Sequence, residues 1–473
     1  MKNTIKYFGV LALSLGLLGS CETVDFGNEN LNPNQPSKAS TAALLTSALR
    51  SLPSHVSEVN GNMWVQYISQ VTYTEESRYS TTQWSYDGWY SGGLKDLQEI
   101  IDLNTLDAVA YSGGGTSANQ IAVAKILKAY YFQFMTDTWG MVPFNEALLG
   151  VDNITPAFDT QEAIYTAGFS LLDEALSSMN NSGTLNGDIL FNGDMSKWAK
   201  FANTLKLTMA MRIADANESL AKTKYTEAIT GAIGSVSENI EYPYLSEDTN
   251  DNPWQDRFET REDYALSDIF VAHLSNHNDP RITEYAELPA SGGDYTGVPY
   301  GVANPNVLQA EVSFIDSDII YDGTQRGGVI YSYAQVAFTV AEAAVRGWTS
   351  ESAADWYAKG VQASMDQWGI SATDATAYLA QSEVQFNASK AMEQIATEKW
   401  VSLYLQGFEA WAEWRRLDYP QLSAAPDALT GSGIPKRYGY SANVATLNEA
   451  NYNAAVSAQG ADTQDTKLWW DKK

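Results

Sequence analysis

The stretch EKWVSLYLQGFEAWAEWRRLDYPQL, residues 398–422, carries the pattern on which the fold prediction depends. Large apolar side chains recur along it every three or four positions, with one glycine among them: Trp400, Leu403, Tyr404, Gly407, Trp411 and Trp414. This spacing places them on one side of a helix, where Gly407 permits close packing or a bend. Glu413 precedes Arg416 by three residues, which predicts an ion pair within the helix. We therefore assign four residues to a buried scaffold rather than to ligand contacts: Trp411, Glu413, Trp414 and Arg415.

The same helical spacing recurs over most of the chain. Several of the segments begin at Ser or Asp, as is typical of helix N-caps. Helices are predicted over Ser40–Leu52, Asn119–Met135, Asp159–Met179, Ser196–Asn217, Ser332–Arg346, Ser352–Gln367 and Ser389–Gln406. No segment alternates with the period of a strand, although Val312–Ile320 is apolar enough for a small hairpin. The chain is therefore predicted to be mostly α-helical with little β structure.

Two of these helices form a neighbouring pair. Ser332–Arg346 and Ser352–Gln367 are joined by a turn containing Gly347, and together they approach the roughly 34-residue tetratricopeptide unit. No strict consensus repeats, so we predict a degenerate scaffold of tetratricopeptide-like helix pairs. Between about 240 and 330 the helical pattern stops, and many prolines, glycines and tyrosines predict long irregular loops. Residues 40–473 are thus predicted to form a single helical domain with a loop-rich insert.

The composition is strongly acidic. Asp and Glu total 57 against 29 Lys and Arg, which gives a formal net charge of −28. Such a charge argues against nucleic acid as a partner and against electrostatic docking to anionic lipid. It does not identify a ligand, because acidity also favours solubility.

The first twenty residues have the features of an export signal. Lys2 and Lys6 precede an apolar run, residues 7–18, that is too short to span a bilayer. The tetrapeptide LGSC, residues 18–21, then resembles a bacterial lipobox, and Cys21 is the single cysteine of the chain. Lipidation of Cys21 would anchor the protein in a membrane without any thiol chemistry. The alternative is ordinary secretion with an unrelated cysteine.

Residues 21–39 are polar and predict an extended tether between the anchor and the domain. Acidic residues soon after Cys21 resemble the surface-export signal of Bacteroidetes-type lipoproteins: Glu22, Asp25 and Glu29. We therefore expect the protein at the outer membrane, facing the cell exterior rather than the periplasm.

The sequence offers few groups for catalysis. His273 and His277 would share a helix face, but the glutamate of the zinc-protease pattern is missing. Asp316 and Asp318 would share a strand face, yet sequence cannot give the separation that a glycosidase needs. No nucleophile has a recognisable base. We predict no catalytic residue and no metal-ligand set, and we favour a binding protein over an enzyme.

A calcium-binding loop is a further alternative. Asp248, Asn250 and Asn252 have the spacing that begins such a loop, but Pro253 occupies the position of the expected glycine. We predict no cofactor and leave structural calcium open.

Five stretches are informative as an ordered set. They are NPNQP at 32–36, YYFQFMTDTWGMVPFNEAL at 130–148, WAKFANTLKLTMAMRIAD at 198–215, EKWVSLYLQGFEAWAEWRRLDYPQL at 398–422, and a tail containing IPKR, NEANYNAAV and LWWD. Together they resemble the SusD/RagB family of outer-membrane lipoproteins, specifically its SusD-like branch. Each stretch is weak alone, but the five follow the family order over essentially the whole mature chain.

The resemblance implies a mostly helical domain with four tetratricopeptide-like helix pairs. It also implies a partner, a SusC-like TonB-dependent transporter over which the protein would sit as a hinged lid. Members capture a nutrient, usually an oligosaccharide and sometimes a peptide, without cleaving it. A glycan is therefore favoured here, with a peptide ligand or a glycan-degrading enzyme as the alternatives.

The aromatic-rich stretch RYSTTQWSYDGWYSGG, residues 78–93, predicts a platform for such a glycan. Aromatic rings stack on the apolar face of a sugar, and polar groups bind its hydroxyls. Trp89 and Tyr90 precede a predicted helix, Leu94–Leu103, and are expected to pack against it. The candidate ligand residues are Arg78, Tyr79, Trp84, Tyr86 and Asp87, with Trp254, Tyr295 and Tyr300 from the middle loops. The alternatives for these rings are a buried cluster and an interface with the transporter.

Overall fold

Helices dominate the part of the chain that the structure describes. The computed structural model describes residues 38–247, 249–321 and 328–473. The predicted signal peptide, Cys21, the NPNQP motif and nearly all of the tether lie outside the described residues. Within this part, Ser40–Lys473 form one compact unit. None of its described helices combines the length and apolarity that crossing a membrane requires.

The long helices coincide closely with the predicted segments. The longer α-helices are Thr41–Leu49, Lys95–Leu106, Ser117–Trp139, Gln161–Ser178, Met195–Arg212, Glu218–Ala228, Asp268–Asn276, Tyr333–Val345, Ala353–Gln367, Ala372–Leu379, Ala391–Ser402, Gly407–Leu417 and Glu449–Gln459. The shorter ones are Leu52–Val56, Val59–Trp64, Asp87–Trp89, Pro253–Phe258, Ile282–Tyr285, Ser317–Tyr321 and Ala442–Leu447. The prediction of a mostly α-helical fold is confirmed.

The predicted pairing of two helices is also present. Tyr333–Val345 and Ala353–Gln367 pack against each other, and Gly347 turns the chain between them with φ +71°. Gly360 lies in their contact face, where a Cβ atom would be 2.6 Å from the ring of Phe338. The glycine therefore allows the two helices to approach closely.

The stretch at 398–422 forms the end of one helix and the whole of another. Ala391–Ser402 ends before a short turn, and Gly407–Leu417 follows it. A Cβ atom on Gly407 would lie 2.5 Å from the backbone nitrogen of Asn62, and one on Gly61 would lie 2.4 Å from the carbonyl carbon of Gly407. The predicted role of Gly407 in close packing is confirmed, and its partner is the Val59–Trp64 helix.

The Gly407–Leu417 helix buries an ionic network. Arg416 lies 2.7 Å from Glu413, so the predicted pair within the helix is confirmed. The same guanidinium donates two hydrogen bonds to Glu342, at 2.6 and 2.7 Å. Burial alone would raise the pKa of Glu342, but the positive charge of Arg416 outweighs it and the pKa is lowered. Lys399 adds another cation, 2.6 Å from Glu413.

The β structure of the described residues consists of three two-stranded ribbons. Ile68–Gln70 pairs with Tyr264–Leu266 and Ile240–Tyr242 with Gly328–Tyr331, both antiparallel, and Gln83–Trp84 pairs in parallel with Gly439–Tyr440. The hairpin predicted at Val312–Ile320 is wrong. Phe314 and Ile315 instead form single bridges to Ala265 and Ala286, and Ser317–Tyr321 is helical. This apolar run is buried against distant segments, so it does not pair with itself.

The middle region from 240 to 330 contains more regular structure than its composition indicated. Its described part holds four α-helices, three of them of at most 6 residues, and three strands among the loops. One of them, Asp268–Asn276, begins where the hydroxyl of Ser267 accepts a hydrogen bond from the Phe270 N–H at 3.0 Å. These elements are short enough that helical periodicity does not reveal them.

Candidate functional site: an aromatic cleft beside Trp84

A short parallel ribbon joins the aromatic stretch to the C-terminal part of the chain. In it, the Gln83–Trp84 strand lies beside Gly439–Tyr440. A Cβ atom on Gly439 would be only 2.4 Å from the carbonyl oxygen of Thr82, so the absence of a side chain permits this approach. The backbone pairing therefore fixes where Trp84 leaves the sheet.

Neighbouring rings then orient Trp84. Its ring stacks on Tyr438 with centroids 3.8 Å apart and planes at 19°. Trp64 contacts it edge-on at 5.8 Å. The indole Nε1 of Trp139 donates to the carbonyl oxygen of Trp84 at 3.1 Å. With these contacts on one side, Trp84 remains only partly buried and lines an open cleft.

The cleft is a hollow of about 420 Å³. Six aromatic residues line it: Trp84, Trp89, Phe134, Trp139, Phe408 and Tyr438. The remainder of the lining is small or polar: Ser51, Ser54, Glu58, Ser85 and Gly88. A mainly apolar hollow of this size with a few polar groups is typical of small-molecule binding sites.

Glu58 is the acidic group of the cleft. It caps the Val59–Trp64 helix, where its Oε2 accepts a hydrogen bond from the Gly61 N–H at 2.9 Å. Its Oε1 accepts a second hydrogen bond from the Tyr438 hydroxyl at 3.0 Å. Burial raises the pKa of Glu58, and these two hydrogen bonds, with a third from the Asn60 N–H, oppose that rise. They also hold the carboxylate at the wall, where it can accept further hydrogen bonds from a ligand.

His55 packs behind two of the cleft residues. Its ring stacks on Phe408 at 5.5 Å and contacts Phe134 at 4.1 Å. Its Nδ1 lies 2.5 Å from the hydroxyl of Tyr130. Burial lowers the pKa of His55 to about 3, so the ring is neutral at neutral pH.

Four of the predicted ligand residues are buried instead: Tyr79, Tyr86, Trp254 and Tyr300. The hydroxyl of Tyr79 accepts a hydrogen bond from the Ala425 N–H at 3.0 Å, and the Tyr300 hydroxyl lies 3.4 Å from it. Tyr86 packs edge-on against Trp139 at 5.8 Å. Tyr79 and Tyr300 have no open face on which a sugar could stack and are reassigned to packing, whereas Tyr86 and Trp254, although buried, also line separate hollows outside the Trp84 cleft. Their polar neighbours in sequence do not reveal this, because the contacts come from distant segments.

The other predicted residues are accessible but dispersed. Arg78 is partly buried, and its Nε donates to the carbonyl oxygen of Asp427 at 2.9 Å. Asp87 is exposed and lines a different, more apolar groove together with Lys95. Tyr295 is partly buried in the middle region. Of the eight predicted residues, Trp84 is the one in the lining of the cleft, and ligand contacts by the other three remain predictions.

The sequence interpretation missed most of the cleft wall. Phe134 and Phe408 lie in segments with helical spacing, which predicts burial, and Glu58 precedes a helix too short for periodicity to show. The sequence predicts that Trp89 packs against the following helix; the ring is partly buried against the core, and it also lines the cleft. The signal that could have indicated Glu58 is its position three residues before Gly61, as in an N-cap.

Trp254 lines a separate, smaller cavity of about 80 Å³ with Asn252. The predicted calcium ligand Asp248 lies outside the described residues. The amide of Asn252 donates to the Ile319 carbonyl oxygen at 2.6 Å, and Asn250 accepts from the Tyr242 hydroxyl at 2.8 Å. These protein contacts occupy both amides, and calcium binding remains a prediction without support from them.

Side chains that could ligate a metal ion do not form a cluster elsewhere in the described ranges. Among residues 38–247, 249–321 and 328–473, no three or more His, Cys, Asp or Glu side chains lie close enough together to hold a metal ion. His273 and His277 do lie side by side, with ring centroids 4.5 Å apart. The Nδ1 of His277 contacts the His273 carbonyl oxygen at 2.7 Å.

Comparison with known proteins identifies the family. Residues 33–441 match the SusD-like family model described as "Starch-binding associating with outer membrane". The chain therefore belongs to the SusD-like family, as the ordered motifs indicated. Among curated proteins, no match was found.

Solved structures agree with this assignment. A protein described as a chitin-binding protein is similar at 28% identity and a TM-score of 0.79, covering 92% of this chain and 100% of its own. A SusD homologue from Bacteroides uniformis has 25% identity and a TM-score of 0.76, covering 91% and 99%. A chitin-binding SusD homologue from Flavobacterium johnsoniae has 23% identity and a TM-score of 0.73, covering 91% and 98%, and shows the shared fold.

Proposed function

We propose that this protein is a lipid-anchored receptor on the outer face of the outer membrane. In this proposal it captures a glycan in the Trp84 cleft and passes it, uncleaved, to a SusC-like TonB-dependent transporter. Membership of a family described as starch-binding and associated with the outer membrane supports a role in binding nutrients at the cell surface.

The observation that carries the glycan proposal is the ring of Trp84 beside an open hollow. Tyr438 and Trp64 already hold the ring, so stacking a sugar on it requires little loss of side-chain freedom. Ser51, Ser54 and Glu58 supply hydroxyl and carboxylate groups at the same wall for the rim of a sugar. The cleft thus offers both kinds of contact that a carbohydrate needs.

A glucosamine-based glycan is the first ligand to test. The chitin-binding relative with 28% identity favours this class over an α-glucan, although the family description names starch. The absence of a recognised nucleophile with its base favours binding without hydrolysis.

Isothermal calorimetry on the full chain in detergent tests the proposal. The ligands are chito-oligosaccharides, malto-oligosaccharides, an anionic oligosaccharide and a mixed peptide pool. We expect a neutral or amino-sugar glycan to bind, with Trp84→Ala weakening the binding by about five- to twelvefold, since a stacked ring contributes about 1–1.5 kcal/mol. Tyr73→Ala is the matched control, because Tyr73 is 66% exposed and lies outside the cleft lining.

Three results would contradict the proposal. Binding of peptides alone would favour the peptide-binding alternative. Glycan binding that is indifferent to Trp84→Ala would exclude the cleft as the site. Oligosaccharide shortening on incubation, followed by chromatography, would identify an enzyme.

The membrane anchor has its own test. We expect Cys21→Ala to release the protein from the membrane fraction, because acyl chains on Cys21 are the proposed attachment. Cys21→Ala protein that still fractionates with membranes would argue against the lipobox. Protease added to intact cells distinguishes a surface location from a periplasmic one.

The transporter partner is tested by purification from native membranes. A large β-barrel protein is expected to copurify with the receptor at native abundance. A receptor that is recovered alone after mild solubilisation would argue against a stable complex.

A further inference from the structure

The cleft carries one charged side chain, and it is acidic. Among the described residues that line it, Glu58 is accompanied by aromatic rings, serines and a glycine, with no Lys or Arg. The net charge of the chain, −28, has the same sign. An anionic ligand would therefore meet no Lys or Arg among the described residues of the cleft lining.

Glu58 retains capacity to bind a donor. An ionised carboxylate has about four acceptor positions, and the N–H groups of Asn60 and Gly61 and the Tyr438 hydroxyl account for three of them, which leaves one for a ligand. Arg257 is the cation that acts on Glu58 electrostatically, but its guanidinium lies over the ring of Trp254 at 4.8 Å. Within the described part of the chain, no Lys or Arg forms an ion pair with Glu58.

The rings around Glu58 favour the same kind of donor. The faces of indole and phenol rings are electron-rich and attract cations within about 6 Å of the ring centroid. Trp84 and Trp89, both partly buried, line the hollow that Glu58 also lines, whereas the ring of Tyr438 is stacked against Trp84. A neutral hydroxyl can donate a hydrogen bond to the carboxylate, but a cation is attracted both by the carboxylate and by the faces of the rings.

We infer that the cleft selects sugars that carry a protonated amine. The ligand class is a glucosamine oligomer with free amino groups, in preference to its N-acetylated counterpart, with uronic-acid oligomers excluded. Glu58 is the residue that determines this specificity, and Trp84 provides the platform on which the ring lies. The inference rests on the proposed function, because it assumes that the cleft binds a glycan.

Calorimetry with three hexasaccharides tests this inference on the full chain in detergent. They are the N-acetylglucosamine hexamer, its fully de-N-acetylated form, and a uronic-acid hexamer. The pH is one at which titration shows the amines to be protonated and Glu58 to be ionised, since burial raises the pKa of Glu58. We expect the de-N-acetylated form to bind about tenfold more tightly than the acetylated one. A preference of this size corresponds to one charge-assisted hydrogen bond. The uronic-acid oligomer is expected to bind most weakly.

Glu58→Gln then removes the charge while keeping the shape and the acceptor for Gly61. In this variant we expect the two glucosamine hexamers to bind within about threefold of each other, since only the ionic contribution is lost. Glu162→Gln, an exposed acid in the first turn of the Gln161–Ser178 helix, is the matched control and should keep the preference. Circular dichroism verifies that each variant is folded.

The outcomes separate this inference from the proposed function. Folded protein that binds none of the glycans refutes the proposed function and the inference with it. Glycan binding without preference for the free amine, or with a preference that survives Glu58→Gln, refutes the inference alone. A preference that Glu58→Gln abolishes and Glu162→Gln retains supports both.

Discussion

Trp84 and Trp411 belong to one aromatic assembly but have different surroundings. Trp64 contacts both rings, at 5.8 Å from Trp84 and 4.7 Å from Trp411. Trp411 is fully buried, its Nε1 donates to a backbone carbonyl oxygen at 2.7 Å, and the Arg415 guanidinium lies 3.5 Å from its ring centroid. Trp84 stacks on Tyr438, while the rest of it lines an open cleft. Residue type therefore does not distinguish a scaffold tryptophan from a site tryptophan. The difference is whether other protein groups already cover both faces of the ring.

The largest effect is expected in the scaffold, on removing Arg416. Arg416→Met leaves Glu342 and Glu413 buried without their guanidinium, so the free energy of unfolding should fall by about 3–5 kcal/mol. Urea denaturation followed by circular dichroism measures it. Lys95→Met is the control, because the Lys95–Glu99 pair is exposed and a surface pair contributes about 0–1 kcal/mol. A loss below 1 kcal/mol for Arg416→Met would show that this network does not hold the scaffold.

Matched truncations of the two tryptophans test the comparison directly. Trp411→Ala should cost about 3–5 kcal/mol of stability, because it removes a fully buried ring. Trp84→Ala should cost about 1–2 kcal/mol, since only part of that ring is removed from water. Urea denaturation and calorimetry on each variant give stability and glycan affinity separately. Equal losses of stability would contradict the distinction between scaffold and site.

The smallest effect concerns His55, which lies between the cleft and the core. Its pKa is lowered to about 3 in the folded protein, against about 6.5 in an unfolded chain. Between these values the unfolded state binds more protons, so stability falls as the pH decreases from about 6.5 towards 3. We expect the free energy of unfolding to fall by about 1 kcal/mol between pH 6 and pH 5. The largest change that a single group can cause is about 1.4 kcal/mol per pH unit. His55→Asn should flatten this part of the stability profile; a profile parallel to that of the unmodified protein would exclude His55 as its cause.

Much of the fold could be predicted because long helices repeat their apolar side chains within one segment. Asn119–Met135 and Ser352–Gln367 differ from the observed Ser117–Trp139 and Ala353–Gln367 mainly at their ends. The short elements between 240 and 330 could not be predicted in this way. Ser317–Tyr321, for example, is a helix of 5 residues, and segments distant in the sequence bury its apolar side chains.

Little of the cleft could be predicted, because its residues come from separate parts of the sequence. Trp84 was identified from its polar neighbours, but Tyr79, with neighbours of the same kind, is buried under Ala425. Glu58 and Tyr438 are 380 residues apart and meet through one hydrogen bond. Local composition identifies rings that could bind a ligand, whereas only the long-range contacts decide which rings remain open.

The ribbon between Gln83–Trp84 and Gly439–Tyr440 has a consequence for the order of synthesis. Trp84 is synthesised long before Tyr438, the ring on which it stacks. A nascent chain that has not yet reached Tyr438 therefore has an aromatic surface with no cover and an incomplete cleft. Translation must pass the Gly439–Tyr440 strand before the cleft beside Trp84 can form.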